Sequence, residues 1–122
     1  MKSGKKGFAR LVAATGYSIK GIQACWRHET AFRQEVLLTL VLFPASFFIA
    51  KTTVQWLLLI GPVFLLLMME LLNSAIEAVV DRIGDEHHEL SGRAKDAASA
   101  PVMLCLFLIA ISWAAIAWTN FA

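Results

Sequence analysis

Apolar residues occur in long blocks along the chain, and this arrangement predicts helices that cross a membrane. Residues 54–80 carry no charge before Glu70, and residues 97–118 form a run of 22 without a charge. A spanning helix needs about 20 such residues. A third block, 36–50, is shorter, but it becomes a span if its helix begins near Glu29. We therefore predict an all-α membrane protein with three transmembrane helices, at about 29–50, 54–80 and 97–118, in a single domain covering 1–122.

The N-terminal region, residues 1–28, has a mixed pattern in which apolar side chains such as Phe8 alternate with basic ones such as Arg10. This spacing is typical of an amphipathic helix that lies in the membrane interface, with its basic residues toward the head groups. Gly16 and Gly21 leave open a break into two short helices. A soluble amphipathic arm is the alternative interpretation.

The placement of charge predicts the orientation in the membrane. Seven Lys and Arg residues precede Val36 and three lie in the loop 82–96, whereas Lys51 is alone in the first turn and the segment 119–122 has none. Basic residues accumulate on the cytoplasmic side of membrane proteins. We therefore expect a multi-pass protein of the bacterial inner membrane, with its N-terminus in the cytoplasm and its C-terminus in the periplasm.

Composition agrees with a membrane protein and excludes several other classes. Hydrophobic residues make up 58% of the chain and charged residues 16%, against roughly a quarter charged in soluble domains. The net charge of +2 indicates no partner by itself, and because the basic residues border the membrane we expect no nucleic acid. The first apolar block comes too late for a cleavable signal peptide. The motifs of phosphate-loop enzymes and soluble protein kinases are missing.

Cysteine and histidine placement does not predict a metal site. Cys25 and Cys105 lie far apart in segments of different kind, so we expect neither a disulfide nor a metal ligand from them. His87 and His88 are adjacent and lack the spacing of zinc ligands, which makes them loop residues.

Three polar residues interrupt the second span on one helix face. Glu70, Asn73 and Glu77 are three and four positions apart and therefore point the same way, with the two carboxylates about 10 Å apart along the axis. An acidic residue within a span costs roughly 2.5 to 3.5 kcal/mol, so we expect this face to point away from lipid. The alternative is a packing role, in which Asn73 and Ser74 above all hold helices together by hydrogen bonds.

These polar residues are expected at different depths in the membrane, and the depth of each one suits it to a different chemical role. Glu29 and Glu77 lie near the cytoplasmic edge, where paired carboxylates suit a divalent cation. Glu70 is deeper and suits a general base. Lys95 near these carboxylates is what a nucleotide phosphate needs, although ordinary membrane topology also accounts for Lys95 and its neighbour Arg93. Three helices enclose such a polar face poorly, so we expect partner chains to complete the site.

Three stretches of sequence resemble a known family. The stretch 70–100, ELLNSAIEAVVDRIGDEHHELSGRAKDAASA, is similar to the signature of the prokaryotic diacylglycerol kinases, and GYSIKGIQACW (16–26) and ETAFRQE (29–35) look like their N-terminal region. This resemblance implies a homotrimeric integral membrane kinase. Such an enzyme transfers the γ-phosphate of ATP, with Mg²⁺, to 1,2-diacylglycerol and forms phosphatidic acid in phospholipid recycling.

The resemblance also implies roles for individual residues. Glu70 corresponds to the catalytic base, with Asn73 on the same face to orient either Glu70 or the phosphate, and Glu29 and Glu77 correspond to metal ligands. The implied ATP contacts are Arg10, Tyr17, Glu29, Glu77, Glu86, His87, His88, Lys95 and Asp96. The implied lipid contacts are Arg10, Ala14, Thr15, Gly16, Tyr17, Ser18, Ile19, Gln23, Ala24, Cys25, Trp26, Ala31, Phe32, Arg33, Gln34, Glu35, Trp56, Glu70, Ser99, Trp113, Ala114, Ala115, Ile116, Ala117 and Trp118.

Two other functions stay open at this point. Related Gram-positive proteins phosphorylate undecaprenol, and diacylglycerol is preferred here because the N-terminal stretch looks like the Gram-negative type. A small proton-coupled transporter, with one intramembrane glutamate that binds substrate, belongs to a different class. It would not explain why Glu29, Glu77 and Lys95 gather at one membrane edge.

Overall fold

The protein is built from helices that follow one another with short connections. A computed structural model describes residues 6–122, which form four helices and no strand: α1 Phe8–His28, α2 Thr30–Ile49, α3 Thr53–Ile83 and α4 Glu89–Phe121. The last three are long and apolar enough to cross a membrane. The predicted all-helical class with three candidate spans is therefore confirmed. The first five residues of the predicted N-terminal region lie outside the described part of the chain.

Helix α1 is continuous, so the break that its glycines left open does not occur. Gly16 and Gly21 lie inside the continuous helix, and neither has a left-handed φ. A glycine inside a helix costs about 1 kcal/mol relative to alanine, which a long helix tolerates. The helix ends where Glu29 turns to extended backbone and donates its N–H to the carbonyl of Cys25. Glu29 thus forms the corner between α1 and α2.

Side-chain caps set the starts of α3 and α4. Thr52 accepts a hydrogen bond from the backbone N–H of Gln55 at 3.1 Å, and His88 Nδ1 accepts one from Leu90 at 3.0 Å. Because the His88 cap lies ahead of the apolar run, α4 begins at Glu89, well before residue 97. The first two turns of α4 are therefore polar, and they place Lys95 and Asp96 on a helix rather than in a loop.

Packing is concentrated between α3 and α4. Val63 and Leu66 of α3 form a buried cluster with Cys105 and Ile109 of α4. Most other large apolar side chains point outward, and Phe48 is 84% exposed. An apolar surface of this extent needs lipid or partner chains to cover it.

A polar network ties the three long helices together at one end. Asn120 Nδ2 donates to the carbonyl of Ile49 at 2.7 Å and to Gln55 Oε1 at 2.8 Å, and Gln55 Nε2 donates to Asn120 Oδ1 at 3.1 Å. Lys51 Nζ donates to the Asn120 carbonyl at 2.9 Å. We call Lys51, Gln55 and Asn120 the Asn120 clasp. It joins the α2–α3 turn to the last turn of α4, at the opposite end of α3 from Glu77.

Candidate active site

An asparagine joins two carboxylates along the polar face of α3. Asn73 Nδ2 donates to Glu70 Oε2 at 3.2 Å and to Glu77 Oε1 at 3.0 Å. Glu70 is only 4% exposed and Asn73 only 8%. The spacing of three and four residues places the amide between the two acids, so it restrains both. Both hydrogen bonds join residues of α3 and neither reaches a second helix. The packing alternative would require Asn73 to bond to another helix.

Two further polar atoms on this face are buried without a hydrogen-bond partner. They are Asn73 Oδ1 and Ser74 Oγ. Buried polar atoms are almost always paired with protein or water, so unpaired ones next to two carboxylates indicate where a water or a ligand binds.

The polar face opens into a cavity of about 540 Å³ that three elements line. Helix α3 contributes Glu70, Asn73 and Glu77, the α1–α2 corner contributes Glu29, and α4 contributes Ser99. His28 and Ala31 lie beside Glu29 at the cavity wall. The fold therefore brings the predicted base and both predicted metal ligands into one space.

The end of α3 and the start of α4 form a second, polar hollow. Lys95 Nζ lies 2.7 Å from Asp81 Oδ1. This pair is exposed to solvent, so it contributes little to stability, but it holds the ammonium group at the rim. The hollow, of about 300 Å³, brings together Lys95 and Asp81 with the loop residues Glu86, His87 and His88. Asp96, the next residue of α4, is exposed, and its carbonyl accepts a hydrogen bond from Ser99 at 3.2 Å.

A large apolar groove lies on the other side, between α1, α2 and α3. Its volume is about 930 Å³, and the implied lipid contacts that line it are Gln23, Trp26, Phe32 and Arg33. Arg33 Nη1 donates to the carbonyl of Trp26 at 3.3 Å, which holds the guanidinium group at the α1–α2 corner. A neighbouring cavity of about 890 Å³ places Ser18, Ala24 and Cys25 beside Glu29, Glu77 and Asp81.

Other predicted contacts lie away from these cavities. Trp56 precedes Glu70 by fourteen residues, about 21 Å along the axis, and it packs 5.4 Å from the ring of Phe47. Trp113 lies on the same side and donates to the carbonyl of Leu59 at 3.0 Å; the remaining residues of that stretch, 114–118, follow on α4. Several other predicted contacts are exposed. They are Gln34 on α2 and Arg10, Ala14, Thr15, Gly16, Tyr17 and Ile19 on α1.

Glu35 has a position that the sequence did not indicate. Its half-buried side chain lies on α2, and its Oε2 atom is buried with no hydrogen-bond partner among the described residues. The family resemblance placed Glu35 among the lipid contacts. A usable signal was present, because Glu35 is the last charged residue of α2 before Lys51 and therefore the deepest carboxylate of that helix.

Comparison with known proteins identifies the family of this chain. The family model described as prokaryotic diacylglycerol kinase matches residues 16–117. The chain belongs to the prokaryotic diacylglycerol kinase family. Relatives of similar length agree: the diacylglycerol kinase of Escherichia coli is 46% identical over 121 residues, which is 99% of each chain. The diacylglycerol kinase of Haemophilus influenzae is 47% identical over 90% of this chain and 93% of its own. The diacylglycerol kinase of Pseudomonas aeruginosa is 47% identical over 93% of this chain and 92% of its own.

The residues present fit a cation that arrives with a nucleotide, as in a kinase family. Among residues 6–122, no group of three or more His, Cys, Asp and Glu side chains is arranged to hold a metal alone. Mg²⁺, however, takes one or two carboxylates together with waters and substrate phosphates. Glu29 and Glu77 offer two carboxylates at one cavity, and the unpaired Asn73 Oδ1 can accept from a bound water.

Proposed function

We propose that this chain is an ATP-dependent diacylglycerol kinase that converts 1,2-diacylglycerol to phosphatidic acid at the cytoplasmic membrane face. The observation that carries this proposal is the position of Glu70 and Glu77, whose carboxylates both accept a hydrogen bond from Asn73. Along α3 they lie where the residues that line the apolar groove give way to those that line the polar hollow containing Lys95. A lipid alcohol fits the groove, and a nucleotide fits the polar hollow. Relatives that match nearly the whole chain carry the name diacylglycerol kinase.

Phosphoryl transfer to an alcohol requires positioning and a proton acceptor. Glu70 accepts the proton of the lipid hydroxyl while the new O–P bond forms and the bond between the γ-phosphorus and ADP breaks. Asn73 orients the Glu70 carboxylate through its amide N–H. Glu29 and Glu77 hold Mg²⁺, which when bound neutralises phosphate charge. Lys95 binds phosphate oxygens, and Asp96, Glu86, His87 and His88 border the nucleotide.

The remaining predicted contacts complete the assembly. Helix α1 lies in the interface, where Arg10 and Tyr17 reach nucleotide and lipid, and the groove beside Trp26 receives the glycerol end of the lipid. Trp56 and residues 113–118 contact acyl chains nearer the periplasmic side. Three copies of the chain form a homotrimer in the inner membrane, which covers the exposed apolar surfaces and encloses the polar face of α3.

The test is transfer of labelled γ-phosphate from ATP to lipid by the purified protein in mixed micelles. Diacylglycerol and undecaprenol are offered side by side, and Glu70→Gln serves as the inactive control. Label in phosphatidic acid is the expected result. Label in undecaprenyl phosphate alone would assign the other lipid substrate, and no label in either lipid from intact protein would reject kinase activity.

A further inference from the structure

Arg33 binds the chain on both sides of Glu29, the residue at the α1–α2 corner. Its backbone N–H donates to the carbonyl of Glu29 at 3.3 Å. Its guanidinium group donates from Nη1 to the carbonyls of Trp26 at 3.3 Å and Arg27 at 3.5 Å, and from Nη2 to the hydroxyl of Thr30 at 3.2 Å. We call these three side-chain bonds the Arg33 fork. The fork ties the end of α1 to the start of α2 across the single extended residue between them.

The end of α1 needs this support, because the last carbonyls of a helix have no N–H partner within it. A basic side chain can supply the missing donors, and it also interacts favourably with the helix dipole. The N–H of Glu29 takes the carbonyl of Cys25, and the Arg33 fork takes the next two. Packing adds little, because no residue of Phe8–His28 is buried and cavities of about 930 and 890 Å³ lie beside this helix. The conformation of the corner therefore depends on Arg33.

The corner determines where the Glu29 carboxylate lies. Glu29 shares the cavity of about 540 Å³ with Glu70 and Glu77 of α3. Its side chain makes no capping hydrogen bond to α2, so the direction of the carboxylate follows from the backbone at residue 29. A change at the corner would move Glu29 relative to Glu77, which Asn73 holds on α3. Two carboxylates that share a cation need fixed relative positions.

On the basis of the proposed function, we propose that Arg33 is a positioning residue for the Mg²⁺ site, which acts by holding Glu29 in the cavity that it shares with Glu77, and not only by contacting lipid. Mg²⁺ tolerates little departure from octahedral geometry, so a carboxylate displaced at a loose corner binds it less well. Groups that support metal ligands are typically worth about 10- to 100-fold in metal affinity or activity. The Arg33 fork is accessible to solvent, so we expect an effect at the lower end, about tenfold.

Kinetics separate this role from a lipid contact. Arg33→Gln removes the fork, so the Mg²⁺ concentration needed for half-maximal activity should rise about tenfold. In a Glu29→Gln background the same substitution should change the Mg²⁺ requirement little, because the effects of residues that act through one another are not additive. Arg33→Lys keeps the charge, but one ammonium nitrogen cannot occupy both Nη positions, so its Mg²⁺ requirement should also exceed that of wild type. This variant carries the test if Arg33→Gln does not fold.

Arg27→Gln is the matched control. It removes the same charge from the same groove but keeps the Arg27 carbonyl that accepts from Arg33, so its Mg²⁺ requirement should equal that of wild type.

Amide hydrogen exchange of the metal-free protein in micelles gives a readout that does not need activity. The Glu29 N–H donates to the Cys25 carbonyl at 2.8 Å, and its exchange reports how often the corner opens. This amide should exchange faster in Arg33→Gln and Arg33→Lys than in wild type and Arg27→Gln. Amides in the middle of α3 should exchange at the same rate in all four proteins.

Several results would overturn the inference. An unchanged Mg²⁺ requirement in Arg33→Gln, with only the KM for diacylglycerol raised, would make Arg33 a lipid contact alone. An equally large effect of Arg33→Gln with and without the Glu29 carboxylate would show that Arg33 does not act through Glu29. Wild-type behaviour of Arg33→Lys, or unchanged exchange of the Glu29 amide in Arg33→Gln, would show that the fork does not hold the corner. Wild-type protein that phosphorylates no lipid would reject the proposed function instead, and amide exchange would still report whether Arg33 holds the corner.

Discussion

Substitution of Asn73 by leucine tests whether one amide positions both carboxylates of the site. Leucine has the same branched shape as asparagine and is favoured in spanning helices, so insertion and folding should be preserved. It removes the hydrogen bonds of 3.2 Å to Glu70 and 3.0 Å to Glu77. Both acids then lose the single donor that holds them on the face of α3.

The magnitude follows from the two bonds that are lost. A hydrogen bond to a charged group contributes about 1.5 to 3 kcal/mol, and each 1.36 kcal/mol of transition-state stabilisation is worth a factor of ten. Loss of the bond to Glu70 should therefore lower kcat about 10- to 150-fold. Loss of the bond to Glu77 should raise the Mg²⁺ concentration needed for half-maximal activity. Asn73→Leu should show both effects together, whereas Glu70→Gln should show the first and Glu77→Gln the second.

The assay is steady-state phosphorylation of diacylglycerol in mixed micelles with Mg²⁺ varied at saturating ATP. The double variant Asn73→Leu with Glu70→Gln should be less impaired than the product of the single effects, because residues that act together are not additive. Thr119→Val, which removes an exposed hydroxyl near the end of α4 far from the site, is the control. Full additivity, or an Asn73→Leu variant no slower than Thr119→Val, would refute the positioning role.

Four further results are expected. Glu70→Gln should lose about 10²- to 10⁴-fold in kcat, as is typical of a lost general base, with ATP affinity kept in equilibrium binding; near-normal turnover would place the base elsewhere. Glu77→Gln should fold normally and need more Mg²⁺, and an unchanged Mg²⁺ titration would remove Glu77 from the metal site. A reporter fused after Ala122 should be active only in the periplasm, so cytoplasmic activity would contradict the orientation. Asn120→Leu removes three interhelical hydrogen bonds, each worth about 0.6 to 1.7 kcal/mol, so it should lower stability by about 2 to 5 kcal/mol, as measured by denaturant unfolding in micelles, while kcat is kept; unchanged stability would show that the Asn120 clasp contributes nothing.

The sequence was sufficient for the helices and for the polar face of α3. Long charge-free blocks leave few alternatives to spanning helices, and a spacing of three and four residues places Glu70, Asn73 and Glu77 together whatever the rest of the fold does. The family followed from the motif around Asn73, which is long enough to be specific. These features are local, so they need no knowledge of how the helices pack.

Contacts between helices could not be read from the chain. The burial of the Glu35 Oε2 atom depends on the relative rotation of α2 and α3, which no single-helix periodicity sets. The ion pair of Asp81 and Lys95 depends on how the loop after α3 folds back, and the early start of α4 depends on the His88 cap. The roles of the site residues remain predictions that the experiments above address, and the trimer remains a prediction.

The length of α3 has a consequence for the membranes in which the protein can work. The helix has 31 residues, about 46 Å at 1.5 Å per residue, whereas the hydrocarbon core of a bilayer is about 30 Å thick. Measured from Thr53, Glu70 lies about 26 Å and Glu77 about 36 Å along the axis, so the boundary between hydrocarbon and head groups falls between them. In a thicker bilayer Glu77 would sink below this boundary, and in a thinner one Glu70 would rise into water. Turnover should therefore pass through an optimum as the acyl chains of the host lipid are lengthened, so that bilayer thickness acts as a determinant of catalysis.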